Sequence, residues 1–196
     1  MGITEGDYEK LTTATGGDTE YTGRGGAGNT AKEYILDENR AEAGAGAGAL
    51  GDFSAYAEVW HADEILNPNP NLGDYTSTAE ITFDGFWSAA ADSIGGSAQV
   101  RLAAFVRDGS NVLAEREIEY KKINTSLADL WTDSSDFSET VTVDLETSND
   151  YEFGIRANAS AAAVGTAISS ADISTSDQII QYTGRISYDS IEINWV

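Results

Sequence analysis

The chain contains no cysteine, two prolines, four lysines and a single histidine among its 196 residues. Without cysteine, neither a disulfide framework nor a thiolate metal site can form. A Ser-His-Asp triad or a zinc site would have to use His61, which lies beside carboxylates but near no nucleophile motif and no second imidazole. We therefore interpret His61 as a structural residue at a strand end. The sequence predicts no catalytic residue, no cofactor and no metal ligand, and hence a protein that is not an enzyme.

Basic residues are scarce: the chain has 33 acidic and 11 basic residues, and its formal net charge is -22. Such a chain repels itself at ordinary salt, which disfavours a compact state. At 1 M salt the Debye length falls to about 3 Å, so that most of this repulsion is screened. An acidic, lysine-poor surface on a chain that is 41% hydrophobic therefore predicts adaptation to molar salt. We expect no direct binding to nucleic acid, because contacts with phosphate groups need a basic protein face.

No basic start followed by an apolar run is present, and residues 1–7 are polar from the outset. The sequence therefore predicts neither a secretory signal nor contact with a membrane. We expect a protein that is made in the cytoplasm and remains there, or leaves by a route without a signal. Assembly into a virion is one such route.

From Asp52 onward, apolar residues alternate with polar ones at the two-residue period of half-buried strands. Many short strands separated by Gly, Asn and Asp turns predict an all-β fold, an antiparallel two-sheet sandwich of the jelly-roll-like kind, over residues 52–196. Near the C-terminus, Ile186 and Tyr188 have the opposite parity to Ile191 and Ile193. A regular strand cannot bury both sets on one face, which predicts a β-bulge near Asp189-Ser190.

The stretch from Ala98 to Tyr120 is predicted to form a central β-hairpin. A three-residue loop, Asp108 to Ser110, outranks the two-residue Asp-Gly turn because it pairs apolar residues with each other. The pairs it predicts are Val106 with Val112, Ala104 with Ala114, Val100 with Ile118, and Arg101 with Glu117. In this register Phe105 and Leu113 share the opposite face of the hairpin. We predict that this second face contacts a neighbouring subunit.

Residues 1–51 differ in composition and are predicted to form an extended Gly/Ala-rich N-terminal arm, which culminates in the alternating Ala-Gly segment 43–49. Such a segment has little to bury and much entropy to lose. Within the arm, Thr30 to Glu33 fits a capping box and predicts a short helix, while a strand at Glu33 to Leu36 is the alternative. A disordered tail competes with our interpretation, in which the arm docks onto another subunit.

The densest oxygen-rich segment is Asp129 to Glu139, which lacks the spacing of a calcium loop. We interpret it as a solvated loop rather than a site for a structural calcium or sodium ion. Carboxylate pairs are so common in the chain that they give no specific evidence for glycoside hydrolysis. The four tryptophans, Trp60, Trp87, Trp131 and Trp195, are typical either of sugar-stacking platforms or of core and interface positions, and we favour the latter.

The chain resembles small structural proteins of haloarchaeal head-tailed viruses. The resemblance rests on the Ala-Gly segment, the acidic lysine-poor surface, the absence of a secretory signal pattern and the predicted last strand from Gly184 to Trp195. The resemblance implies an accessory capsid, turret or fibre-base protein with a β-sandwich domain. It implies partners that are further copies of the chain and other capsid or tail proteins. The implied location is the virion, assembled in the host cytoplasm.

Two other classes of function stay open. Sandwiches of this size often bind carbohydrate, and a cluster of exposed Trp or Tyr on one surface would favour attachment to host surface glycans. A hydrolase that uses paired carboxylates would need a concave site and a carboxylate of raised pKa.

Overall fold

The computed structural model describes residues 2–48, 50–69, 71, 73–125, 129–172 and 185–196. Within these ranges the chain forms eleven strands and one 3-10 turn, Leu36–Glu38, and contains no α-helix. The strands are β1 Ile3–Thr4, β2 Glu9–Leu11, β3 Gly16–Arg24, β4 Ala27–Ile35, β5 Arg40–Gly48, β6 Asp52–Leu66, β7 Thr76–Asp108, β8 Asn111–Thr125, β9 Asp129–Glu146, β10 Asp150–Asp172 and β11 Arg185–Trp195. Within the same ranges, no helix has the length and apolar character needed to cross a bilayer.

Two antiparallel sheets pack together. The first sheet contains, in order, β8, the second half of β7 (96–108), the first part of β10 (150–163), β6 and β3. The second contains β9, the first part of β7 (76–94), a row shared by β11 and the end of β10, then β5 and β4. The predicted all-β sandwich is therefore confirmed.

β7 and β10 each pass from one sheet into the other, so the two layers belong to a single hydrogen-bonded sheet that bends back on itself. Gly95 lies at the bend inside β7, with φ of 73°. Gly25, which lies between β3 of the first sheet and β4 of the second, has φ of 68°. Strands that switch sheets bend most easily at glycine, which accepts such backbone angles without steric cost.

The N-terminal segment belongs to the sandwich, so the predicted boundary at residue 51 is corrected. β5 pairs with β4 on one side and with the end of β10 on the other, and Ala43, Ala45 and Ala47 are buried. The entropy cost of the Ala-Gly segment is offset by ladder hydrogen bonds on both sides, which local composition does not reveal. The helix predicted from Thr30 is also wrong, because β4 continues to Ile35.

The buried Asn39 ties the N-terminal segment to the last strand. Its side-chain oxygen accepts a hydrogen bond from the Ala14 amide at 2.7 Å. Its amide nitrogen donates to the carbonyl oxygens of Thr12 at 2.8 Å and of Tyr188 at 3.2 Å. A single side chain thus links the segment before β3 to β11, which again makes residues 1–51 part of the fold.

The hairpin of β7 and β8 forms, but in a register that differs from the predicted one. Asp108 pairs with Asn111 across Gly109-Ser110, so the loop has two residues rather than three. Irregularities between Val106 and Arg107 and between Leu102 and Ala103 then shift the pairing, and Val106 faces Ala114. The predicted pairs Val106–Val112, Ala104–Ala114 and Val100–Ile118 are therefore wrong. The first irregularity leaves Leu113 of β8 without a partner in β7 and the second leaves Ile118 without one. Strict alternation along β8 cannot predict such bulges.

The core lies between the sheets and combines large aliphatic and aromatic side chains with many alanines. The bulge predicted near Asp189-Ser190 is confirmed, since the register of β11 shifts between Tyr188 and Ser190. Both parities of β11 are therefore buried on the core side. The largest fully buried side chains are Tyr188, Phe83, Phe105, Phe153, Ile3, Ile65, Ile81, Leu102, Leu145, Ile155 and Ile186.

The oxygen-rich segment from Asp129 to Glu139 is not a loop. It forms the first part of β9 and pairs with β7, with most of its side chains exposed. Residues 126–128 and 173–184, which include a strand predicted near Ile179-Ile180, lie outside the described residues.

Candidate functional site

The outer face of the first sheet carries a cluster of charged and aromatic side chains from three adjacent strands. Alternation directs Trp60 of β6, Gly154 of β10 and Phe105 of β7 to this face, and the register places Gly154 between the two aromatic residues. A Cβ on Gly154 would lie 2.8 Å from the Phe105 ring and 2.8 Å from the Cβ of Trp60. The glycine therefore allows both aromatic side chains to cover the sheet at this position.

Arg107 is the centre of this outer-face cluster. Its guanidinium carbon lies 4.6 Å from the centroid of the Trp60 ring and 5.0 Å from that of Phe105. The same group pairs with Glu58 at 2.5 Å and with Glu152. Since Glu58 is only 1% exposed, Arg107 supplies most of the charge compensation that a buried carboxylate needs.

Arg156 covers the same aromatic ring from β10. Its guanidinium carbon lies 4.5 Å from the centroid of Phe105, and Nη1 pairs with Glu115 of β8 at 3.3 Å. Glu115 also pairs with Arg101, whose Nε lies 3.1 Å from Glu117. Arg101 and Glu117 therefore form an ion pair, but they are not directly opposite as predicted, since Arg101 pairs with Tyr120 in the sheet.

Tyr56 completes the cluster beside Glu58. Its hydroxyl donates a hydrogen bond to the Glu58 carboxylate, and burial together with this bond raises the pKa of Tyr56 above its usual value. Glu58 therefore has both a cationic and a hydroxyl partner. The arrangement holds the two carboxylates Glu58 and Glu152 in fixed positions on either side of one guanidinium.

An acidic pocket opens at the end of the first sheet, next to Glu152. Its volume is about 630 Å³, and it is formed by the end of β6, the β7–β8 turn and the start of β10. The lining residues are Ala62, Asp63, Glu64, Asp108, Gly109, Asp150, Tyr151 and Glu152. So many carboxylates create a negative potential that attracts cations and repels anionic polymers. Among the described residues, no group of three or more potential ligands has an arrangement that would hold a metal ion.

His61 lies close to this pocket. Its Nδ1 donates to the Thr13 carbonyl oxygen at 2.7 Å, and its Nε2 lies 3.6 Å from Asp63. Thr13 precedes β3, so the histidine connects the N-terminal segment to β6. His61 lies within β6, which continues to Leu66, and not at a strand end as predicted, and its structural role stays a prediction.

The two residues predicted to share an interface are not brought together. Phe105 is fully buried under Arg107 and Arg156, so its face is closed within the chain itself. Leu113 lies at the irregularity in β8, where no residue of β7 is paired with it, and is 37% exposed. The expectation of one open face that presents both side chains is corrected. The contact of Leu113 with another subunit stays a prediction.

The four tryptophans lie in three different places. Trp87 is buried and stacks with Trp131 at a centroid distance of 6.3 Å, and Lys121 lies 5.6 Å from the Trp131 centroid. Trp195 packs against the core, and its indole nitrogen is buried. Trp60 belongs to the outer-face cluster. Within the described part of the chain, the tryptophans therefore form no shared sugar-stacking platform.

The outer-face cluster is not among the features predicted from the sequence. Its signal was present, since Glu58, Arg107 and Arg156 each interrupt an otherwise apolar strand. The three residues are far apart in sequence, however, and only the strand order of the first sheet brings them together.

Comparisons with known proteins found little. No protein-family model and no curated protein sequence matches the chain. One solved structure that matches is the enzymatically active domain of tailspike protein 4 from bacteriophage CBA120, with a TM-score of 0.29 and 8% sequence identity. The match covers 92% of this chain and 19% of that chain. The present chain therefore spans about a fifth of the length of the tailspike domain.

The prediction that the chain is not an enzyme is corrected by this comparison. The matched tailspike domain is described as enzymatically active, so the exclusion of enzymatic activity is withdrawn.

Proposed function

We propose that this protein is a structural component of a virus particle, of the capsid-decoration or turret kind, which functions in concentrated salt. The observation that carries the proposal is the continuity of β7 and β10 through both sheets. Because the two layers share covalently continuous strands, they resist sliding past each other more than two independently connected sheets would. Such a scaffold suits a module that bears load in an assembly.

The charge of the surface supports the high-salt part of the proposal. The ion pairs of the described residues engage a minority of the 33 carboxylates, and several of these pairs lie within the outer-face cluster. The remaining carboxylates repel each other unless salt screens them. A haloarchaeal virus or provirus would place the protein in such salt.

Assembly with further copies of the chain is the second part of the proposal. β8 lies at the edge of the first sheet and is paired, within the described residues, with β7 alone. It exposes Val112, Leu113 and Tyr120 along this edge. Exposed edges with apolar side chains are typical sites of association between sheets.

The mass of the purified full chain in molar salt, measured by light scattering across a concentration series, tests this proposal. We expect an oligomer whose mass is a multiple of 20.8 kDa. Leu113→Asp is expected to reduce this mass to that of the monomer. The matched control is Leu36→Asp, because Leu36 is also 37% exposed but lies in the 3-10 turn, away from β8. A monomer at every concentration would overturn the proposed assembly role.

A further inference from the structure

The open side of the sandwich, opposite β8 and β9, presents a surface whose charge differs from the rest of the chain. β3 and β4 are the edge strands here, and each pairs with one neighbour within the described residues. Thr19 and Tyr21 of β3 and Lys32 and Tyr34 of β4 all lie opposite buried alanines of β6 and β5. We call these four residues the β3–β4 surface.

Alternation keeps the neighbouring carboxylates away from this surface. Asp18 and Glu20 lie opposite Glu58 and Tyr56, on the outer face of the first sheet. Glu33 lies opposite Glu42, on the outer face of the second sheet. Side chains one position apart along a strand point to opposite faces, so the β3–β4 surface receives none of these three charges.

Two aromatic rings dominate the surface. Tyr21 is 63% exposed and Tyr34 is 40% exposed. The Tyr34 ring packs over Gly17, where an added Cβ would lie 2.5 Å from the ring. Gly17 and Tyr21 are four residues apart in β3, so the backbone positions beneath the two rings are roughly 13 Å apart along the strand. A ligand that contacts both rings must therefore be extended.

The cation between the rings is Lys32, one of only four lysines in the chain. Its ammonium lies 4.7 Å from the centroid of Tyr21 and donates to the Thr19 carbonyl oxygen at 3.3 Å. Among the described residues it forms no ion pair within 4.0 Å, in contrast to Lys10, which pairs with Glu192 at 2.7 Å. An ammonium has three donors, so Lys32 can accept an external anion.

We propose that the β3–β4 surface binds an extended acidic polysaccharide, with Tyr21 and Tyr34 stacking on sugar rings and Lys32 pairing with a carboxylate of the sugar chain. Tyrosine offers a large flat contact area at low entropy cost together with a polar hydroxyl, which suits the apolar faces and hydroxyl edges of a pyranose. The net charge of -22 opposes an anionic ligand at a distance. In molar salt that repulsion is screened beyond about 3 Å, while a direct ammonium–carboxylate contact persists.

A peptide strand would use the same edges differently. It would add to β3 or β4 through backbone hydrogen bonds, and it would need neither tyrosine ring. The combination of two exposed rings with one uncompensated ammonium therefore favours the polysaccharide. The inference shares with the proposed function only the high-salt setting and does not depend on assembly into a particle.

Titration calorimetry of the full chain in molar salt, with hexagalacturonate as the acidic probe and maltohexaose as the neutral one, tests the proposal. We expect binding of hexagalacturonate and weaker binding of maltohexaose. Lys32→Gln should weaken hexagalacturonate binding by about tenfold, since a charge-assisted hydrogen bond is lost, and leave maltohexaose unaffected. Tyr21→Ala and Tyr34→Ala should weaken the binding of both probes.

Matched controls lie on β8, at the other side of the sandwich. Tyr120→Ala removes a tyrosine that is 44% exposed, and Lys122→Gln removes an exposed lysine. Both should bind hexagalacturonate like the unaltered chain. The proposal is overturned if the unaltered chain binds no hexagalacturonate, or if the control variants lose as much affinity as the test variants. It is also overturned if polyglutamate binds through Lys32 while the tyrosine variants retain full affinity for hexagalacturonate. The oligomer mass is a separate readout, so this result and the assembly proposal can fail independently.

Discussion

Nη1 of Arg107 lies 2.5 Å from Oε1 of Glu58, and the two residues come from strands that do not neighbour each other in the first sheet. β10 runs between those strands, so the ion pair spans three rows of the outer face. Glu58 is almost fully buried, and a buried carboxylate is tolerated only when it is paired and hydrogen-bonded. The pair therefore clamps β6, β10 and β7 together.

Removal of Arg107 tests this clamp. Arg107→Met leaves the Glu58 carboxylate without its cation and should lower the free energy of unfolding by about 3–5 kcal/mol. The double variant Arg107→Met/Glu58→Gln should regain much of this loss, because no buried charge then remains. Arg116→Met is the control, since Arg116 pairs with Glu139 at an exposed site and its loss should cost about 0–1 kcal/mol. Equal losses in the two single variants, measured by denaturant unfolding in molar salt, would contradict the clamp.

Two buried tyrosines allow a comparison of how a hydroxyl with a hydrogen-bond partner and one without affect the stability of the fold. Among the described residues the hydroxyl of Tyr188 has no hydrogen-bond partner, whereas that of Tyr151 accepts a hydrogen bond from the Glu146 amide at 2.8 Å. Tyr188→Phe should therefore be neutral or stabilise the fold by about 1 kcal/mol, and Tyr151→Phe should destabilise it by a similar amount. Thermal melts of both variants measure the difference. The opposite order would show that Tyr188 has a partner.

The same hydroxyl predicts a pH dependence. Burial raises the pKa of Tyr188 above its usual value of 10.0. The folded state therefore retains this proton when the unfolded chain has already lost it. Stability should be unaffected by this group below pH 10 and should fall as the pH rises above it. Tyr188→Phe should lessen the fall, which a series of melts from pH 9 to about pH 11.5 would measure; an identical fall in the variant would assign it to other groups.

The burial of Phe105 predicts the outcome of two charge substitutions. Val106→Asp should unfold the chain, because it places an unpaired carboxylate in a fully buried site at a cost of several kcal/mol. Phe105→Asp should also unfold it, because it removes the buried ring against which Arg107 and Arg156 pack and leaves a cavity there. Leu113→Asp should leave the melting temperature nearly unchanged, since its site is exposed. Circular dichroism in molar salt separates these results. A folded Phe105→Asp chain would show that the outer-face cluster is open.

The Ala-Gly strand gives a test of the N-terminal segment. Ala45→Asp places a charge in β5, which is paired on both sides, and should unfold the sandwich. Thr22→Asp changes an exposed residue of the edge strand β3 and should leave the fold intact. An unchanged far-ultraviolet spectrum of the Ala45→Asp chain would show that it remains folded. That result would support the prediction that residues 1–51 form an independent arm.

Local patterns predicted the features that depend on near neighbours. The two-residue alternation identified the strands, and the change of parity between Tyr188 and Ile191 located the bulge in β11. The Ala-Gly strand was missed because its stability comes from β4 and β10, whose pairing is not encoded in its own composition. The hairpin register was missed because bulges in β8 moved Leu113 out of the ladder.

The candidate sites depend on distant contacts and were less predictable. Glu58, Arg107 and Arg156 meet only through the order of strands in the first sheet. Lys32 contacts Tyr21 because β3 is an edge strand of the first sheet and β4 is an edge strand of the second, on the same side of the sandwich. No hydrophobic periodicity or motif in the sequence predicts which strands will be adjacent, so these clusters can be identified only in the folded chain.

The dependence of folding on salt tests most directly the claim that this sandwich is built for concentrated salt. The measurement is the far-ultraviolet spectrum and melting temperature of the full chain, from dilute buffer to molar potassium chloride. The net charge of -22 predicts a melting temperature that rises with ionic strength and levels off near 1 M, where the Debye length is about 3 Å. An unchanged β spectrum and melting temperature down to dilute buffer would contradict the claim.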